Sequence, residues 1–112
     1  MIAILAALSA AIAIAAAAFG AHAAGSEQAA EWLRTGGFYQ LVHAVAVVAL
    51  GSRAGLRAPA ALLLGGSVLF AATLYAMALG APRWFGAITP IGGVMMILGW
   101  LWAGWLFARP RR

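Results

Sequence analysis

His22, Tyr39, Gln40, His43, Tyr75 and Thr89 are the side chains in this 112-residue sequence with the most chemistry to offer. Tyr39 and His43 stand four apart, so on a helix they share a face. A phenol and an imidazole so placed could exchange a proton. Two histidines on different helices could ligate a haem iron or contribute to a metal site. The rest of such a site is missing. There is no Cys, which removes thiol nucleophiles, disulfides and iron–sulfur clusters. There is no Asp, and the two carboxylates, Glu27 and Glu31, fall in a polar gap away from these rings. No third metal ligand is evident. Hydrolysis or group transfer needs an activated nucleophile, a base and an oxyanion or metal partner. The sequence therefore predicts no enzyme, no metal and no cofactor.

The elements that carry these residues are set by composition. Hydrophobic residues make up 66% of the chain and charged residues 8%, against about half and about a quarter in soluble domains. A soluble fold of this size could not cover so large an apolar fraction with so few polar side chains. A bilayer removes the difficulty, because lipid tails can face the excess. Charged gaps leave four apolar blocks, at about residues 1–24, 38–50, 59–79 and 88–107. A span needs roughly 20 apolar residues, which the first, third and fourth blocks supply. The second reaches that length only if it extends back to residue 27, through Glu31 and Arg34 and across Gly36-Gly37. Either a short surface helix ends at the glycines, or one long helix runs through them. The predicted fold is an all-α membrane protein, a single domain over residues 1–112 with four transmembrane helices in a bundle. Ser26 reads as an N-cap with Glu27 in the favoured first turn, and Thr89-Pro90 as an N-cap followed by proline at the first helical position. Ala21-His22-Ala23 resembles a signal cleavage site, but no basic segment precedes the first block, so that block reads as a retained helix.

All seven basic side chains are arginine. Five of them, Arg53, Arg57, Arg109, Arg111 and Arg112, lie on the side of the two termini. Arg34, Arg83 and both glutamates lie on the other. This bias predicts cytoplasmic termini. It also explains the high pI without nucleic acid, which would call for a basic face on a folded domain. The five tryptophans read as belts at the two interfaces, Trp32 and Trp84 outside, Trp100, Trp102 and Trp105 inside. Small residues should set helix packing: Gly20 and the stripe Ala3, Ala7, Ala11 and Ala15 on the first helix, Ala72 and Ala76 on the third, and Gly92, Gly93 and Gly99 on the fourth.

On this topology the six polar candidates gather in one layer, in the half of the membrane away from the cytoplasm. Ser9 and Ser67 fall further inward. A polar ring at such depth needs a partner or water. Two readings fit. In one, the layer is a hydrogen-bond cluster that fixes helix register. In the other, it is a site open to the outer side that binds a small molecule or a lipid.

Four segments in order carry a resemblance: Phe19-Gly20-Ala21-His22-Ala23, Tyr39-Gln40-Leu41-Val42-His43-Ala44, Leu74-Tyr75, and Ile88-Thr89-Pro90-Ile91-Gly92-Gly93 with Gly99-Trp100. Together they resemble the domain-of-unknown-function family 423, over nearly the whole chain. The resemblance implies a small four-helix bacterial inner-membrane protein, and it implies no reaction, substrate or cofactor. Gly36-Gly37 departs from the family pattern.

Two functions follow as expectations. The first is a structural or accessory membrane protein, its partners being the bilayer, copies of itself or other membrane proteins. The second is a binding or transport module that uses the polar layer. Proton-coupled export of cations needs a membrane-embedded carboxylate, and no apolar block holds one.

Overall fold

The computed structural model describes residues 1–110; the Arg111 and Arg112 of the arginine count lie outside them. Among the described residues there are four α-helices, α1 (Ile2–His22), α2 (Glu27–Gly51), α3 (Arg57–Ala78) and α4 (Thr89–Ala108). A short 3-10 turn, Arg83–Ala87, precedes α4. Each α-helix is long and apolar enough to cross a membrane. The fold is thus an all-α, four-helix bundle of membrane-spanning type.

The second helix is continuous through Gly36-Gly37. Glycine costs a helix about 1 kcal/mol relative to alanine, and here close packing on both sides offsets that cost. A Cβ on Gly37 would come within 3.0 Å of the Ala13 carbonyl oxygen on α1, and one on Gly36 within 2.7 Å of the Tyr75 ring on α3. The two glycines form a double notch, with a neighbour seated in each half. Upstream, the Ser26 hydroxyl accepts from the Ala29 backbone N–H at 3.0 Å and caps the helix.

Packing is serial: α1 lies on α2, α2 on α3 and α3 on α4, with only slight contact between α1 and α3. The bundle is therefore open, and its first and last helices each have one main neighbour. On α1 the buried residues are Ala6, Ser9, Ala13 and Gly20. Their spacing, in steps of three, four and seven, is that of left-handed helix pairs. The stripe Ala3, Ala7, Ala11 and Ala15 is exposed instead. The helix is apolar all round, so composition does not mark its buried face. Ala13→Leu, directed at the α2 backbone, is expected to lower the melting temperature in detergent. Ala7→Leu, facing lipid, is expected to leave it unchanged.

The small residues of α3 and α4 divide in the same way. Ala72 is exposed and Ala76 only half-buried, whereas Gly66 and Ala71 are buried. On α4, Gly92 and Gly99 are buried against α3, at Gly66 and Leu63. Nothing lies within 4 Å of a Cβ built on Gly93. The third helix ends on Gly80, whose φ of 109° only glycine adopts readily. Gly80 N–H reaches the Met77 carbonyl and Ala81 N–H the Ala76 carbonyl, closing the helix end.

The arginines mark two ends. The Arg53 guanidinium lies over the Phe107 ring and that of Arg83 over Trp32. The α2–α3 turn thus meets the end of α4, while the α3–α4 connection meets the start of α2.

Candidate functional site

Polar side chains join the helices at three points. The first centres on Gln40, which is 3% exposed. Its Nε2 donates to Ser9 Oγ on α1 at 2.9 Å, and its Oε1 accepts from the Tyr75 hydroxyl on α3 at 2.6 Å. One amide thereby ties three helices. Ser9, expected further inward than the polar layer, belongs to this site, and its apolar sequence neighbours give no hint of the partner 31 residues away. A count could have found it: Ser9 is thirteen residues before the end of α1 and Gln40 thirteen after the start of α2. In an antiparallel pair, equal counts from the turn mean equal depth.

The second point is His43. Its Nδ1 lies 2.7 Å from the Tyr39 carbonyl oxygen. A carbonyl can only accept, so Nδ1 carries the proton and Nε2 offers a lone pair. Trp100 Nε1–H donates to that lone pair at 3.0 Å, from α4. The ring is neutral and both nitrogens are engaged. The rings of Tyr39 and Trp100 flank it, with centroids 6.3 and 5.9 Å away. Trp100, though 42% exposed, is therefore a mid-span partner of His43 rather than part of an interfacial belt. Trp100→Phe keeps the bulk and removes the donor. It is expected to cost about 1 kcal/mol and to shift the His43 Nε2 nitrogen resonance toward that of an unbonded imidazole.

The third point is a pair of hydroxyls, Thr73 and Thr89, 2.6 Å apart. Thr73 also donates to the Phe70 carbonyl at 2.9 Å. Thr89 has a carbonyl of its own within reach, that of Phe85, but at 3.4 Å. The shorter Thr73–Phe70 bond takes the Thr73 proton, so Thr73 accepts from Thr89. Thr89 is thus the first helical residue and an α3–α4 tie, not the helix cap; the cap position is Ile88, because the preceding 3-10 turn leads directly into the helix.

Of the six candidates, Gln40 and Tyr75 are bonded directly, Tyr39 and His43 lie together, and Thr89 stands apart on its own pair. His22 joins none of them: it is exposed in the last turn of α1. The layer also sits deeper than the block count placed it. With α2 continuous, His43 is nine residues after Arg34 and ten before Arg53, or about 14 and 15 Å along the axis. That is the middle of the span, with Gln40 one turn toward the Arg34 side.

Two grooves border these ties. One, of about 520 Å³, runs between α1 and α3 and has Ser9 and Gln40 in its wall among Leu5, Ile12, Leu64 and Val68. The other, of about 400 Å³, lies between α2 and α4 and is lined by Tyr39, His43, Phe70, Met96 and Trp100. No cluster of three His, Cys, Asp or Glu side chains occurs among the described residues. The two histidines sit at separate depths, one at a helix end and one mid-span, and the structure does not bring them together to share an ion.

Comparison with known proteins places this architecture. The family model described as "Protein of unknown function (DUF423)" matches residues 16–93, a stretch holding most of the network. A UPF0382 membrane protein of Staphylococcus saprophyticus is 40% identical over 106 residues, covering 88% of each chain. One of Staphylococcus epidermidis is 37% identical over 106 residues, covering 88% of this chain and 87% of its own. The UPF0382 inner membrane protein YgdD of Escherichia coli is 36% identical over 106 residues, covering 87% of this chain and 81% of its own. No solved structure matches. With the family model spanning well over half of the chain and these relatives aligned nearly end to end, the protein belongs to the DUF423 family of small membrane proteins.

Proposed function

We propose that this inner-membrane, multi-pass protein is a structural or accessory helix bundle and not an enzyme, its polar layer serving to hold helices in register. One observation carries the reading. Among the described residues, no buried side-chain nitrogen or oxygen lacks a hydrogen-bond partner. A site poised for a substrate usually keeps donors or acceptors free for it, and here those of Gln40, His43 and Thr73 are spent within the bundle, on neighbouring helices and on carbonyls of their own helices. The open bundle leaves one side each of α1 and α4 facing lipid, where other membrane helices or a second copy of the chain could pack. The arginine distribution supports cytoplasmic termini. A periplasm-active reporter fused after Arg112 should then be silent.

A second reading rests on the α2–α4 groove, where Tyr39, His43 and Trp100 form an aromatic wall open to the bilayer. A small apolar molecule or a lipid tail could lodge there. His43→Gln separates the two. For a structural role, the amount of folded protein falls, while His22→Gln, at an exposed position in the last turn of α1, changes nothing. For a binding role, His43→Gln stays folded but loses a small molecule that co-purifies with the wild type in mild detergent.

A further inference from the structure

The end of the molecule opposite the glutamates carries a cavity that the bundle's own packing does not explain. It measures about 450 Å³ and is bounded by Arg53, Gly55 and Leu56 of the α2–α3 turn and by Leu106, Phe107 and Arg109 at the end of α4. Part of its lining is apolar, a floor made chiefly by Leu106 and Phe107 with Leu56 beneath. Leu56 is buried, and Leu106 packs against the cluster formed by Val47, Leu50 and Leu63. Its rim is cationic. Arg53 lies over the Phe107 ring at 5.9 Å, and Arg109 over the Trp105 ring at 5.0 Å. Stacking on a ring holds each guanidinium in place while leaving its edge N–H donors free.

These two charges have no internal counter-ion among the side chains. The only carboxylate side chains are Glu27 and Glu31, in the first turns of α2, and Glu31 pairs with Arg34 at 3.5 Å. Arg53 lies past the far end of that helix, 22 residues after Glu31 and 26 after Glu27, or about 33 and 39 Å along the axis. The neighbouring helix end adds to the imbalance: α3 starts at the cavity with no side-chain cap on its first N–H groups. The negative ends of α2 beside Arg53 and of α4 beside Arg109 together offset about one charge, which leaves the two arginines and the α3 start in excess.

We propose that this cavity binds an anionic phospholipid, its phosphate held by Arg53 and Arg109 and the upper part of an acyl chain lying on Leu56, Leu106 and Phe107. Charge, depth and shape agree on this occupant. The cavity opens at the membrane interface, where lipid phosphates sit. A guanidinium pairs with a phosphate through two parallel hydrogen bonds. A free phosphate ion would meet the same arginines but make no use of the apolar floor.

The test titrates the detergent-purified full-length protein with phosphatidylglycerol and reads bound lipid by native mass spectrometry. One phosphatidylglycerol per chain is expected to be retained, in clear preference to zwitterionic phosphatidylcholine. Arg53→Gln and Arg109→Gln should each weaken retention about fivefold, and the pair together about thirtyfold. Arg83→Gln, which removes an equal charge at the other end, should leave it unchanged. Melting temperature is followed in parallel: the lipid should raise it for the wild type and not for the double variant. If the double variant does not fold, Arg109→Gln alone decides, because Arg109 is exposed and follows the last residue of α4. Equal retention of the two lipids overturns the proposal, as does an Arg83→Gln loss matching the others. So does displacement of the lipid by millimolar inorganic phosphate, which would make the site one for a free anion.

Discussion

Gly92→Ala is expected to unseat α4 from α3, although it adds a single methyl group. The new Cβ would stand 2.6 Å from the Gly66 carbonyl oxygen, 2.6 Å from the Phe70 backbone nitrogen and 2.9 Å from Phe70 Cα. All three are main-chain atoms of a helix, so no side chain can swing aside. Gly66 mirrors the arrangement, with the Gly92 oxygen 2.9 Å from its own virtual Cβ. The two helices must move apart, and overpacking of this kind costs typically about 1–3 kcal/mol, occasionally more. The better helix propensity of alanine returns about 1 kcal/mol at most. In thermal unfolding in detergent, Gly92→Ala should melt well below the wild type, and Gly92→Leu should fail to assemble. The adjacent Gly93→Ala is the control. Its Cβ meets nothing within 4 Å, so it should melt with the wild type or slightly above it. Equal melting of the two alanine variants would show that α3 and α4 do not approach along this line.

Gln40→Ala is the second large effect. It removes two interhelical hydrogen bonds at once and leaves the Ser9 hydroxyl and the Tyr75 phenol without their partner. A single interhelical hydrogen bond in a membrane protein is worth about 0.6 kcal/mol on average, with a maximum near 1.7. Losing both, and leaving a cavity at a 3%-exposed position, should cost about 2–3 kcal/mol. Ser9→Ala and Tyr75→Phe each break one bond and should cost about 1 kcal/mol or less. Once Gln40 is alanine, adding Ser9→Ala should change little, since the interaction it removes is already gone. Additive losses in that double variant would mean that the serine and the amide act independently, and the three-helix tie would not stand.

Much of the fold was legible because hydrophobic runs and charged gaps are one-dimensional signals. Ser26 as a cap was legible for the same reason, since its partner is three residues away. The candidate site was legible in part. Tyr39 and His43, four apart, could be placed on one face by counting. Ser9 and Trp100 could not be assigned as readily, because their partners lie 31 and 57 residues away. The interrupted reading of α2 failed at Gly36-Gly37 for a related reason. Within one helix two glycines are a weakness, and only the neighbours filling both notches make them an asset. The face of α1 was misassigned because an alanine-rich helix offers equally small residues all round, and contact with Gly37 selects the Ala13 side.

Sequence alone determined that this chain crosses a bilayer with four helices, because too few polar side chains exist to cover it in water. It also determined that both carboxylates fall at one end of the molecule and most of the arginines at the other. Tertiary structure decided which faces meet, at what depth the polar residues lie, and that Gln40 and His43 are spent on joining helices. The physical reason is that membrane insertion depends on summed hydropathy along the chain, whereas pairing depends on single-atom fits between segments far apart in it.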